Sequence, residues 1–361
     1  MVIMSLFISL FLVLLRATLS FQLSSRAVAV ANRELHLSAI DPSSSSSVAV
    51  IDWKFFDDVY LITTTQKDSQ RLERTRQELE KVDLWERVNV REFKPDDEDR
   101  VRGCYTSHIA VLKEIQMKFR FRDDYRVLVL EDNLEITLRM DRNVVNSVGQ
   151  FVENNVDWDV FHLAYMMYVP GLSLKKLPYV DVLGDDYKRN IVQMLADSSS
   201  SVGTSAYGIS KSGVEQILTY DEENGFTEAI PNIMALLFPQ TRYATYPMVF
   251  HRAAKVGSLV NPQLDAFRKV MFSPIMYTTW ERLMVNTGLQ NNQLFPGVTI
   301  SLFLATITAI VGDFLSVSDG KSSGNFSGWL VAILPLGVAL WGASLFKPGN
   351  TGAGFAKKTE I

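Results

Sequence analysis

Between residues 51 and 260, short apolar runs alternate with charged stretches of helical length, and that alternation predicts an α/β domain. Val59 to Thr63 is β-branched and aromatic and reads as the first strand. A charged helix follows from about Ser69 to Val82, and Val88 to Phe93 reads as a second strand. Gly103 to His108 opens another helix, with a Ser or Thr available as its cap, and Ile109, Val111, Leu112 and Ile115 give it an apolar side as far as about Phe119. Val127 to Leu130 has no polar alternation at all. It is too short for a helix and fits a strand buried on both faces of a parallel sheet. Trp158 to Leu163 reads as a further short strand. Gly203 to Tyr207 is a Gly/Ser/Thr approach to an apolar strand, and Ser210 starts a helix carrying Val214, Ile217 and Leu218. Leu172 to Ala196 shows no clear period and reads either as a loop that closes over a site or as a surface insertion.

The two ends differ from this middle. Residues 1–20 are almost wholly apolar up to Arg16 and suggest a signal peptide or short signal anchor. Residues 21–50 hold Arg26, Arg33 and the Ser43 to Ser47 run with few acidic groups, so they read as a disordered stem or a transit-like linker. Residues 261–296 are amphipathic and read as a connecting helical segment. Val298 to Val317 and Trp329 to Phe346 are apolar runs near the roughly 20 residues needed to cross a bilayer, and predict a transmembrane hairpin over 297–346. Lys347, Lys357 and Lys358 make 347–361 a basic tail. Such a chain belongs in a membrane of the secretory pathway, endoplasmic reticulum or Golgi, or in a plastid membrane reached through a bipartite signal.

Charge and rare residues narrow the chemistry. A net charge of −4 over 361 residues, with no basic block interleaved with aromatics, argues against nucleic acid as a partner. The single cysteine, Cys104, excludes an intrachain disulfide and reads against any cysteine-based zinc cluster. No Gly-x-Gly-x-x-Gly follows the first strand, which argues against a dinucleotide-binding dehydrogenase.

The chemistry is concentrated where Leu130 gives way to Glu131-Asp132-Asn133. In an open α/β sheet, ligands bind outside the carboxyl ends of the strands. Two carboxylates and an amide at that edge offer hard oxygen ligands for Mg²⁺ or Mn²⁺, although an acidic turn after a core strand would look the same. Arg71, Arg74 and Arg76 in the first helix have two readings also: phosphate contacts, or a solvated helix face. His108 falls in the predicted first turn of its helix, where a histidine is structural or catalytic.

Gly103-Cys104-Tyr105-Thr106-Ser107-His108 followed by Val127 to Asn133 resembles the Gly-Cys-x-x-Ser-His and Leu-Glu-Asp-Asp pairing of the family 25 glycosyltransferases. These include lipooligosaccharide sugar transferases and procollagen galactosyltransferases. Trp158 to Leu163, Gly203 to Gly213 and Tyr243 to Pro247 resemble later segments of the family in the same order. The resemblance implies a GT-A-like, Rossmann-type nucleotide-sugar-binding sheet with flanking helices, here followed by the C-terminal two-helix membrane hairpin. It implies an inverting hexosyltransferase that moves a sugar from a UDP-sugar, UDP-galactose being one candidate, to a hydroxyl of a protein, lipid or glycan.

The same resemblance maps the family's acidic donor motif onto Glu131, Asp132 and Asn133, with Glu131 and Asp132 toward the nucleotide-sugar and Asp132 and Asn133 toward Mn²⁺ or Mg²⁺. Thr63 at the end of the first strand and Arg71 in the following helix are the further candidates for nucleotide contact. Asp159, Glu228 and His108 are the candidates for the base that deprotonates the acceptor. This chain departs from the pattern at Asn133, where the family has a carboxylate, and at Leu61-Ile62-Thr63, where it has Ile-Asn-Leu. The competing reading is a catalytically inactive domain of this type serving as a membrane-anchored structural or assembly subunit.

Overall fold

The computed structural model describes residues 51–64, 69–155, 157–178, 186–196, 202–253 and 274–298. All of these up to Phe295 belong to one compact unit, Val50–Phe295. The predicted signal, stem and basic tail lie outside the described residues, as do all but the first residues of the predicted hairpin. Among the described residues no helix is long and apolar enough to cross a membrane.

The alternation of apolar and charged segments folds into strands and covering helices. In chain order these are β1 (Asp58–Thr64), α1 (Ser69–Glu80), β2 (Val88–Phe93), α2 (Arg100–Lys118), β3 (Arg126–Glu131), β4 (Leu134–Ile136) and α3 (Arg142–Asn154). They continue as β5 (Val160–Ala164), β6 (Ser173–Lys176), β7 (Ile191–Leu195), β8 (Ala206–Ser210), α4 (Lys211–Asn224), α5 (Ile230–Leu237), β9 (Arg242–Thr245), β10 (Phe250–Arg252) and α6 (Pro274–Thr287). Eight of these strands make one sheet in the order β2-β1-β3-β8-β5-β9-β7-β6, and β4 pairs with β10 in a separate ribbon.

The sheet is mixed. β1 runs parallel to β2 and β3, and β5 parallel to β9, whereas β8 is antiparallel to both β3 and β5. The fully parallel neighbourhood expected for Val127 to Leu130 is therefore corrected on one side, where β8 runs the other way. Burial on both faces still holds, because helices cover both. Val59, Leu61, Leu128 and Leu130 pack with Leu79 and the α3 residues Val144, Val148 and Phe151. Tyr60, Ile62, Val127 and Val129 turn to the opposite face against Tyr105, Leu112 and Ile115 of α2 and Ile217 of α4. Successive side chains feed two separate cores, so every position of the run must be apolar.

Two local expectations are also corrected. α2 begins at Arg100, capped by the Asp99 carboxylate, which accepts from the backbone N–H groups of Val101 and Arg102. His108 therefore sits in the third turn instead of the first. The segment 172–196, read as a loop or insertion, contains β6 and β7, paired antiparallel at the far edge of the sheet. Both strands are short, and β6, at the edge, ends in two exposed lysines, which hides its period.

α6 completes the sheet's far half. Its Glu281 is fully buried, accepts from the Met248 backbone N–H at 2.8 Å and the Tyr165 hydroxyl at 3.3 Å, and pairs with Arg139. Burial raises the Glu281 carboxyl, and Arg139 and the two donors offset only part of that rise.

Candidate functional site

The chain leaves β1, forms β2 on one side, and crosses back to place β3 on the other side of β1. The carboxyl ends of β1 and β3 thus flank a topological switch point, the position where open α/β sheets leave a crevice for ligands. Thr63 stands near the end of β1, Arg71 in the first turn of α1, and Asp132 one residue beyond β3. The fold brings the three side chains together. The Thr63 hydroxyl donates to Asp132 Oδ2 at 2.7 Å, and Arg71 Nη2 donates to Asp132 Oδ1 at 2.7 Å. The pair is largely desolvated, with side-chain exposures of 13% for Arg71 and 8% for Asp132. Arg71 Nε is buried and has no hydrogen-bond partner, so the guanidinium retains donor capacity.

Backbone bonds from three directions hold the acidic turn. Glu131 N–H donates to the Ser205 carbonyl, Asp132 N–H to the Ile62 carbonyl, and Ala253 N–H to the Asn133 carbonyl. The side chains of the turn diverge. Asp132 joins Thr63 and Arg71, whereas Glu131 faces α2 and the approach to β8. Glu131 Oε1 accepts from the Thr204 hydroxyl at 2.6 Å and lies 3.5 Å from His108 Nε2, and Oε2 accepts from Asn133 Nδ2 at 2.9 Å. Burial would raise the Glu131 carboxyl, but the adjoining His108, the Thr204 hydroxyl and the charge of Arg252 outweigh it and hold the group down at about 2.

His108 is fully buried, with Nδ1 3.0 Å from the Tyr207 hydroxyl. Cys104, one turn earlier on the same face of α2, brings its sulfur into the same cluster. Burial and the Glu131 charge push its thiol up to about 12, against a smaller opposing effect of Arg252.

The three candidates for an acceptor base are separated. His108 joins Glu131, with no exposure of its own. Asp159 lies at the amino edge of the sheet: its carbonyl accepts from Ser210 N–H, and Ser210 is level with Arg126 at the start of β3. Five strand residues separate that level from Glu131, roughly 16 Å. The Asp159 carboxylate accepts from the Thr241 hydroxyl. Glu228 follows α4, whose end is tied to α2 through the Tyr105 hydroxyl bonds to Asp221 and Gly225, on the face of the sheet opposite that of Leu61, Thr63, Leu130 and Asp132. It is exposed and accepts from Asn232.

A hard divalent cation does not fit Asp132 and Asn133 as they stand. Each Asp132 oxygen accepts one hydrogen bond, and Asn133 turns its amide nitrogen to Glu131 and leaves Oδ1 buried without a partner, so what opposes a divalent ion is the Arg71 cation already paired with Asp132. Mg²⁺ and Mn²⁺ need several free oxygens and no adjacent cation.

Sequence reasoning did not single out Cys104, Thr204 or Tyr207 as site residues. The i, i+4 spacing of Cys104 and His108 was the available signal for the first. Thr204 and Tyr207 carry no local signal, because only the antiparallel register of β8 on β3 sets them beside Glu131 and His108.

No family model and no curated protein matches this chain. Among solved structures it is similar to a glycosyltransferase involved in the glycosylation of the major capsid of PBCV-1, at 9% identity and a TM-score of 0.34, covering 59% of this chain and 99% of that one. That likeness is too slight to bear on function.

Proposed function

We propose that the chain is a membrane-attached glycosyltransferase of the family 25 type that takes a UDP-sugar in the crevice between the carboxyl ends of β1 and β3. One observation carries the reading: Thr63, Arg71 and Asp132, from three separate elements, converge at the switch point of the sheet. A nucleotide diphosphate gains negative charge on its leaving oxygen as the anomeric bond breaks, and a preorganised cation stabilises it without reorganisation. Arg71, held in place by Asp132 and with Nε still unpartnered, is that cation. Because the residues do not accommodate Mn²⁺ or Mg²⁺ at Asp132, no step is assigned to a metal there. Glu228, exposed beyond the end of α4, is our candidate for the acceptor base, inverting the anomeric centre in a single displacement. The apolar runs over 297–346 would attach the protein to a membrane of the secretory pathway, or of a plastid.

The test is calorimetric titration of the full chain with UDP-galactose and UDP-glucose. Binding is expected with and without Mn²⁺, and Arg71→Ala should weaken it at least about tenfold, the loss of one charge-assisted contact. No binding of either donor at millimolar concentration would sink the enzyme reading. The rival, an inactive assembly subunit, is favoured by the pairing of Asp132 with Thr63 and Arg71 and the complete burial of His108. Donor binding without any sugar release to water or acceptor would decide for it.

A further inference from the structure

The described residues contain one group of three His, Cys, Asp or Glu side chains able to hold a metal ion, and it is not the Asp132–Asn133 pair expected from sequence. Cys104 and His108 project from one face of α2, and Glu131 from the end of β3. The Cys104 sulfur, one His108 ring nitrogen and one Glu131 oxygen all lie within 4.8 Å of one another.

We infer that Cys104, His108 and Glu131 form a binding site for a borderline-soft divalent cation of the Zn²⁺ class. Tetrahedral zinc with sulfur, nitrogen and oxygen ligands separates its ligand atoms by about 3.3–3.6 Å. His108 Nε2 and Glu131 Oε1 already stand 3.5 Å apart, and the remaining separations, all within 4.8 Å, need to close by at most about 1.5 Å to complete the set.

An independent observation points to a ligand. His108 is fully buried, yet its Nε2 makes no hydrogen bond of acceptable geometry, and it faces Glu131. A buried imidazole nitrogen without a partner is costly unless something else occupies its lone pair. Its other nitrogen is fixed by the Tyr207 hydroxyl at 3.0 Å, the outer contact that zinc-bound histidines use to set their tautomer. Glu131 is supported in the same way by Thr204 and Asn133, and each of its oxygens keeps a lone pair.

The ligand types decide which metal. Thiolate and imidazole with a single carboxylate favour zinc over Mg²⁺ or Mn²⁺, which prefer oxygen alone. Binding replaces the proton on the Cys104 sulfur, so one proton is released per ion bound. Thiolate and carboxylate cancel the two positive charges of the ion. Glu131 and Cys104 are part-exposed, which gives an ion a route in from solvent.

The test is independent of the nucleotide-sugar reading because no nucleotide is present. The full chain, stripped with a chelator, is titrated with Co²⁺ alone. One equivalent should bind and give the near-ultraviolet charge-transfer band of a cobalt thiolate, and Zn²⁺ should abolish that band. Cys104 is the sole cysteine, so Cys104→Ser should remove the band, and Tyr207→Phe should weaken binding by about 10–100-fold. Zn²⁺ should also protect Cys104 from iodoacetamide in the unmutated protein, a readout that needs no variant to fold. Absence of both Co²⁺ uptake and thiol protection would overturn the inference, as would a band that survives Cys104→Ser.

Discussion

The Arg71–Asp132 pair is the contact on which the proposed crevice depends, and its energy can be worked from its surroundings. Asp132→Ala removes the acceptor of both Thr63 and Arg71 and leaves a guanidinium only 13% exposed with no counter-charge. Breaking a buried ion pair from one side costs about 3–5 kcal/mol, most of it the penalty of the stranded charge. Because some solvent reaches Arg71, about 3 kcal/mol is expected here. In a unit spanning Val50–Phe295 that corresponds to a fall in Tm of roughly 6–12 °C.

Arg71→Met should cost a similar amount, since it strands the carboxylate. The double variant strands neither charge, so its loss should fall short of the sum of the single losses by at least about 2 kcal/mol. Urea unfolding of the four proteins, followed by circular dichroism, measures the cycle. Additivity within about 0.5 kcal/mol would refute the contact and with it the shape of the crevice.

Two further outcomes follow from the same region. The folded Glu131 carboxyl is held at about 2, below its ordinary 4.5, so its contribution is fully present above the unfolded value and is lost as pH falls from about 4.5 toward 2. In metal-stripped protein, Glu131→Gln should flatten that part of the pH–stability curve measured by denaturant midpoint, and an unchanged slope would contradict it. On the sheet itself, a Cβ on Gly208 would stand 2.6 Å from a ring carbon of Phe56, so Gly208→Ala should cost about 1–3 kcal/mol in the same unfolding assay. A neutral effect would mean that the Phe56 ring does not lie on β8.

How much was legible in the sequence follows from which interactions are local. β1 and β3 were readable because a strand buried on both faces must carry an unbroken apolar run, and the part-exposed edge strand β2 was readable from its Val-Asn-Val alternation. Capping by Asp99 was missed because an acidic run beside a proline reads as a loop, and its side chain becomes a cap only when the helix begins there. The edge strand β6 and its neighbour β7 were missed because both are short and β6 ends in two exposed lysines, which leaves too few positions for an alternation to register.

The sequence by itself determined the α/β alternation, the strand that ends in Glu131-Asp132-Asn133, and the residue types available there for phosphate or metal. Only the tertiary structure decided how those residues are shared. Side chains one residue apart at a strand end point to opposite sides, so Asp132 went to Thr63 and Arg71 while Glu131 went to His108 and Cys104. Asp159, adjacent to an equally plausible strand, was carried to the far edge, because a position in the chain gives no direction along the sheet until its neighbours are paired.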